Sequence, residues 1–232
     1  MTQPLIREAM MSAARIPMIG IVGGIGSGKT TLTSALQHYF RSERLDADLA
    51  GHRALRCADI KQELADLFGR EILDQQGEIH RPALAAKVFG NHPEQVAARK
   101  QLERIVHPAI REALLAEKQK QELSGQCDLL LLDAALMMES GLSKLCDAIV
   151  FLDVPRSVRL ARVQQRGWTE EEFQRREASQ LTLAEKREAA DFVLDLTGPH
   201  EHETIDDSSR RLAEWICSRF PQVHCSSPVP VN

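Results

Sequence analysis

Cysteine is sparse in this 232-residue chain, and the five present (Cys57, Cys127, Cys146, Cys217, Cys225) are odd in number with no C-x-x-C spacing. Such a set excludes a disulfide framework or a zinc ribbon and fits reduced thiols in a cytoplasm. Positive charge is not in excess either. With 29 Lys and Arg against 33 Asp and Glu, the net charge is -4. No basic surplus exists to release counterions, so no nucleic-acid partner is expected. No apolar run is long enough to cross a bilayer, so no membrane association is expected. The run after Arg7 and Arg15 is no cleavable signal, because it continues into a glycine-rich loop that cleavage would destroy. Residues 1–16 read as a disordered leader, and 221–232, with Pro221, Ser226, Ser227, Pro228 and Pro230, as a disordered tail.

What remains, residues 17–220, suits one α/β domain with insertions, and its composition is ordinary for a folded chain. Gly23 to Thr31 read GGIGSGKTT directly after an apolar run, Met18 to Val22. That is the phosphate-loop pattern G-x-x-x-x-G-K-[ST] at a strand-to-helix junction. Chance would give the pattern in roughly 1 in 100 chains of this length. The residue types follow from the chemistry. Glycines let successive N–H groups point at phosphate oxygens, and the helix N-terminus adds its positive end. Gly26, Ser27, Gly28, Lys29, Thr30 and Thr31 are therefore the expected nucleotide-binding residues, with Lys29 on the β/γ-phosphates and Thr30 on Mg²⁺.

Helical spacing of Leu32, Ala35, Leu36 and Tyr39 predicts a helix over 29–40. Leu45 to Asp48 is expected to end a second strand. From 59 to 120 the pattern is helical, with stripes of Ile60, Leu64, Leu67 and Phe68, then Leu84, Val88 and Phe89, then Val96, Leu102, Ile105 and Val106. This stretch is too long for an ordinary crossover and reads as an inserted substrate-side subdomain. Asp128 to Leu132 and Ala148 to Leu152 are aliphatic runs suited to strands buried on both faces. Further helices are expected at 156–165, 168–186 and 208–220, with a short strand at 192–194. Strands alternating with helices predict a doubly wound parallel sheet with ligands at the carboxyl ends of its strands.

Asp46-Ala47-Asp48 is the second constellation. In an extended segment residues two apart face the same way. Both carboxylates would then enter the crevice, with Asp48 as the base that takes the proton of an attacking hydroxyl. A solvated turn is the plain alternative. Asp133 closes the third strand where phosphate-loop proteins place an acid near Mg²⁺. Its neighbour Ala134 is no acid, which favours transfer to an acceptor over hydrolysis. Arg159, Arg162, Arg166, Arg175 and Arg176 surround Trp168 and suggest a lid over about 160–190, though a solvated helix laced with ion pairs accounts for most of them. His107-Pro108 reads as a helix boundary with Pro in the next first turn. His200-x-His202 reads as solvated.

Taken in order, these stretches resemble the dephospho-CoA kinase family over about 18–219. The matching segments are GGIGSGKTT at 23–31, DADLAGH at 46–52, GEIHRPALAAKVF at 77–89 and HPAIR at 107–111. LLLLDAALMMESGL at 129–142, CDAIVFLDVP at 146–155, RLARVQQR at 159–166, REASQ at 176–180 and EKREAADFVLDLTG at 185–198 follow. The family's PLLFE stands here as Ala135 to Glu139 without its proline, and Leu196 replaces its late Asn. The resemblance implies a phosphate-loop kinase core with a helical acceptor-binding insertion and a lid. It implies transfer of a phosphoryl group from ATP, with Mg²⁺, to the 3′-hydroxyl of dephospho-CoA, the last step of coenzyme A synthesis. Asp48 looks like the general base, Arg166 and Arg176 like the lid cations, and His107 like part of the acceptor region. Kinases for shikimate, gluconate or nucleoside monophosphates use the same scaffold. A GTPase switch is disfavoured, because no N-K-x-D segment is present to read guanine.

Overall fold

The aliphatic runs become the middle of one sheet. In the computed structural model, which describes residues 15–90, 92–196 and 205–225, five parallel strands stand in the order β2-β3-β1-β4-β5. They are β1 (Met18–Gly23), β2 (Ser42–Asp46), β3 (Leu129–Asp133), β4 (Ala148–Asp153) and β5 (Phe192–Asp195). β1 pairs with β3 through Met18–Leu130 and Ile21–Asp133, and with β4 through Ile19–Ala148 and Gly23–Leu152. All six β1 residues are buried, as a central strand covered on both faces requires. The chain moves from β1 to one side, then returns to the other. The β1 exit therefore lies beside the point where strand order reverses, where α/β sheets bind ligands.

The helices are α1 (Lys29–Leu36), α2 (Ala47–Ala54), α3 (Ala58–Phe68), α4 (Arg81–Val88), α5 (Pro93–Ser124), α6 (Arg156–Gln164), α7 (Glu170–Glu177), α8 (Leu183–Glu188) and α9 (Ile205–Arg219). They fall into two units. One holds the sheet and consists of the chain up to Leu45 and from Glu117 onward; the other is Asp46–Ala116. In the first, Leu32 and Leu36 of α1 and Leu212 and Ile216 of α9 cover Ile19, Ile21, Leu131 and Val150. Each such aliphatic side chain contributes about 1.5–3 kcal/mol by leaving water. Phe192 stacks on Trp215 with ring centroids 4.8 Å apart, fixing the last strand to the last helix. In the second unit, Leu64, Phe68, Ile72, Leu84, Val88 and Val106 form a separate core.

Several local expectations change. α1 stops at Leu36 and residues 37–39 are turn. The stretch 168–186 divides into α7 and α8, each begun by a threonine whose hydroxyl accepts a backbone N–H: Thr169 from Glu172 and Thr182 from Glu185. Leu67, Phe89 and Val96 fall outside the second core and are exposed. Pro108 starts no new helix but lies inside the 32-residue α5. Proline there removes one helical hydrogen bond at about 3 kcal/mol; Ile105, Val106, Ala109 and Ile110, packed in the core on both sides of it, offset that loss. The leader to residue 14, the tail from 226 and His200-x-His202 lie outside the described residues.

Candidate active site

β1 ends at Gly23, and the following loop needs backbone that side chains resist. Gly26 has φ +78° and Gly28 φ +92°, the left-handed region where a Cβ is strained. A Cβ on Gly26 would also lie 2.5 Å from the carbonyl oxygen of Arg159. Gly28 is the N-cap of α1, and no side chain caps that helix. The first-turn N–H groups are thus left for a ligand, as anion binding at a helix N-terminus requires. Lys29 is the first residue of α1 and is half-buried. Ser27 is buried with its Oγ unpartnered among the described residues. A buried hydroxyl left so costs about 1–3 kcal/mol unless water or a ligand oxygen satisfies it. Thr31 is exposed on the first turn.

At the neighbouring strand end, the Thr30 hydroxyl donates to Asp133 Oδ2 at 3.2 Å, and Arg44 Nη1 lies 3.4 Å from the same oxygen. A hydroxyl and a carboxylate are hard oxygen donors. Mg²⁺ is commonly held by one or two such groups, with substrate phosphates and waters completing its shell. No cluster of three or more His, Cys, Asp or Glu able to hold a metal exists among the described residues. Thr30 and Asp133 together fit Mg²⁺.

The arginines of the charged stretch separate into distinct roles. Arg162 Nη1 donates to the carbonyls of Gly26 at 3.3 Å and Ser27 at 3.0 Å. Arg159 is buried and donates to Ile25 O at 3.3 Å. Arg166 is exposed in the turn after α6. Arg176 pairs with Glu172 at 2.7 Å and lies 3.9 Å from the Trp168 ring centroid. A surface reading of this stretch misses the burial of Arg159, although its spacing of three from Arg162 places both on one helical face.

Asp46 and Asp48 do not share an extended face. Asp46 is the N-cap of α2, its carboxylate accepting from Leu49 N at 2.8 Å, while Asp48 sits exposed in the first helical turn. The pattern is a cap followed by helix-compatible residues, and aspartate is a favoured N-cap. His107 is half-buried within α5. The same unit contains a cleft of about 560 Å³ lined by His52, Leu55, Arg56, Glu78, Ile79 and Arg81. Lys61 Nζ lies 2.5 Å from Glu78 and offsets its charge. Two arginines are left to make the cleft attractive to an anion. Arg81 lies within the GEIHRPALAAKVF segment, the only sequence signal that pointed to it.

The family model for dephospho-CoA kinase matches residues 17–201. The dephospho-CoA kinase of Geobacillus kaustophilus is 39% identical over 199 residues, covering 85% of this chain and 96% of that one. That of Corynebacterium diphtheriae is 35% identical over 205 residues, covering 88% and 96%. Among solved structures, TT1252 from Thermus thermophilus aligns with a TM-score of 0.70 at 30% identity, covering 89% of this chain and 99% of that one. The dephospho-CoA kinase from Campylobacter jejuni shares the fold at a TM-score of 0.55 and 22% identity, covering 88% and 98%. With the model matched from β1 through the last strand, the chain belongs to the dephospho-CoA kinase family.

Proposed function

We propose that this chain transfers the γ-phosphoryl group of ATP to the 3′-hydroxyl of dephospho-CoA in the cytoplasm. The observation that carries the reading is the Thr30–Asp133 contact, 3.2 Å, beside an uncapped helix N-terminus. Phosphate-loop N–H groups and Lys29 hold the β- and γ-phosphates. Thr30 and Asp133 would hold Mg²⁺, which would neutralise charge on the phosphate oxygens. Positioning and charge account for most of the acceleration in such transfers.

Asp48 accepts the proton of the 3′-hydroxyl as its oxygen bonds to the γ-phosphorus and ADP leaves. A base of this kind contributes about 10²–10⁴-fold. Arg166 and Arg176 neutralise charge on the transferring group; Arg176 would exchange its Glu172 partner for phosphate oxygens. His107 and the cleft with Arg56 and Arg81 belong to the acceptor, whose diphosphate suits two guanidinium groups.

Mass spectrometry of the products formed from Mg-ATP and dephospho-CoA tests the reading. The expected result is an acceptor heavier by one phosphoryl group. ADP formed with the acceptor mass unchanged contradicts it.

A further inference from the structure

Arg159 is among the largest fully buried side chains of the described residues, and phosphate chemistry gives it nothing to do. A cation that neutralises the γ-phosphate has to reach the open side of the loop. Arg159 lies behind it. Its Nε donates to Val154 O at 3.1 Å, and its Nη1 donates to Ile25 O at 3.3 Å and to Glu177 Oε1 at 2.6 Å. Its guanidinium carbon is 5.5 Å from the ring centroid of buried Phe173. One side chain thus touches the exit of β4, the phosphate loop and α7.

The loop is packed on this arginine without slack. A Cβ on Gly24 would lie 2.5 Å from Arg159 Nη1, and one on Gly26 would lie 2.5 Å from the Arg159 carbonyl oxygen. The direction of the Ile25 carbonyl matters, because a carbonyl turned toward the phosphates would present negative charge where N–H groups are needed. Glu177 is the last residue of α7 and follows Arg176 directly. Any shift of α7 that moves Arg176 therefore moves the carboxylate holding Arg159.

We propose that Arg159 is a positioning residue that couples α7 to the phosphate loop. Glu177 orients the guanidinium, and the guanidinium keeps the Ile25 carbonyl turned away from the nucleotide. ATP affinity then depends on a residue that never touches ATP. The inference rests on the ATP-binding reading above.

The test is calorimetric titration of ATP into the full chain, with steady-state kinetics on dephospho-CoA and a thermal melt of each variant. E177Q removes the charge of a residue 29% exposed while keeping its shape, so it folds more readily than a variant of the arginine itself. For a coupling of ordinary size, E177Q weakens ATP binding by about fivefold to tenfold, and R159Q weakens it by about tenfold or more. KM for ATP rises in step, KM for dephospho-CoA stays constant, and the double variant binds ATP no worse than R159Q. Unchanged ATP affinity in E177Q, whatever the melting temperature, overturns the coupling while leaving the kinase reading intact. Absence of ATP binding in the unmodified chain overturns both.

Discussion

Lys186, almost fully buried, places its Nζ 3.1 Å from Glu139 Oε1 and 2.8 Å from Gln180 Oε1. Glu139 Oε1 also accepts the Leu181 N–H at 2.8 Å, so one ion pair joins the loop after β3 to the segment entering α8. Removing one partner of a buried pair leaves an uncompensated charge and costs about 3–5 kcal/mol. K186M is therefore expected to lower the thermal midpoint by about 6–20 °C, taking 2–4 °C per kcal/mol for a domain of this size. Replacing both partners, K186M with E139L, is expected to recover part of that loss. Scanning calorimetry decides; a drop under about 2 °C for K186M contradicts the assignment.

D48N keeps the size of the side chain at the start of α2 and removes its capacity to accept a proton. Turnover with dephospho-CoA is expected to fall about 10²–10⁴-fold. ATP affinity is expected to stay within a factor of two to three, because the phosphate loop is untouched. Stopped-flow kinetics beside calorimetry separates the two. Near-normal turnover in D48N removes Asp48 from the role of base.

G26A adds one methyl group where φ is +78° and where the Cβ would lie 2.5 Å from a backbone oxygen. The left-handed conformation costs a non-glycine residue about 1–2 kcal/mol, before the clash is relieved. Because that oxygen belongs to the α6 backbone, relief has to come from the loop. Weakening of ATP binding by at least tenfold, in a chain that still folds, is the expected outcome. A crystal of G26A with ATP bound in an unshifted loop would contradict it.

The legible parts of this molecule were those with dense local patterning. Asp128–Leu132 and Ala148–Leu152 read as buried parallel strands because such aliphatic runs suit a core on both faces, and GGIGSGKTT marks the ligand end of the sheet. Thr30 and Asp133 were both named from sequence, but their 3.2 Å approach depends on β3 pairing beside β1, a non-local fact. The Asp46-Ala47-Asp48 step is ambiguous in sequence, because a carboxylate that ends a strand and one that caps a helix look alike, and Asp46 does both. Which of the arginines around Trp168 is buried is not a local property either, and it is Arg159. Phe173 and Glu177, 14 and 18 positions later, pack on it together with Ile25, 134 positions earlier.

Alkaline stability draws on buried Tyr39 and half-buried Cys146, acids whose neutral forms the fold favours. Burial, then the hydrogen bond its hydroxyl donates to Asp206, pushes Tyr39 from 10.0 up to about 12. Burial, then the adjacent charge of Asp147, pushes the Cys146 thiol from 9.0 up to about 12. A raised folded value means that the protonated form is favoured by folding. The associated stability is complete below the unfolded pKa and is lost as pH climbs through the folded one. Denaturant titrations should therefore show a plateau up to about pH 8.5, then a decline that Cys146, with Cys127 and Cys217 whose thiols burial also raises, begins near 9 and Tyr39 steepens above 10. Y39F should remove the steeper part while leaving the decline that starts near 9. The same desolvation makes Cys146 a poor nucleophile, so at pH 8 an aromatic disulfide reagent should modify exposed Cys57 before Cys146. Stability that stays flat to pH 11, or Cys146 labelled as fast as Cys57, would refute this account of both side chains.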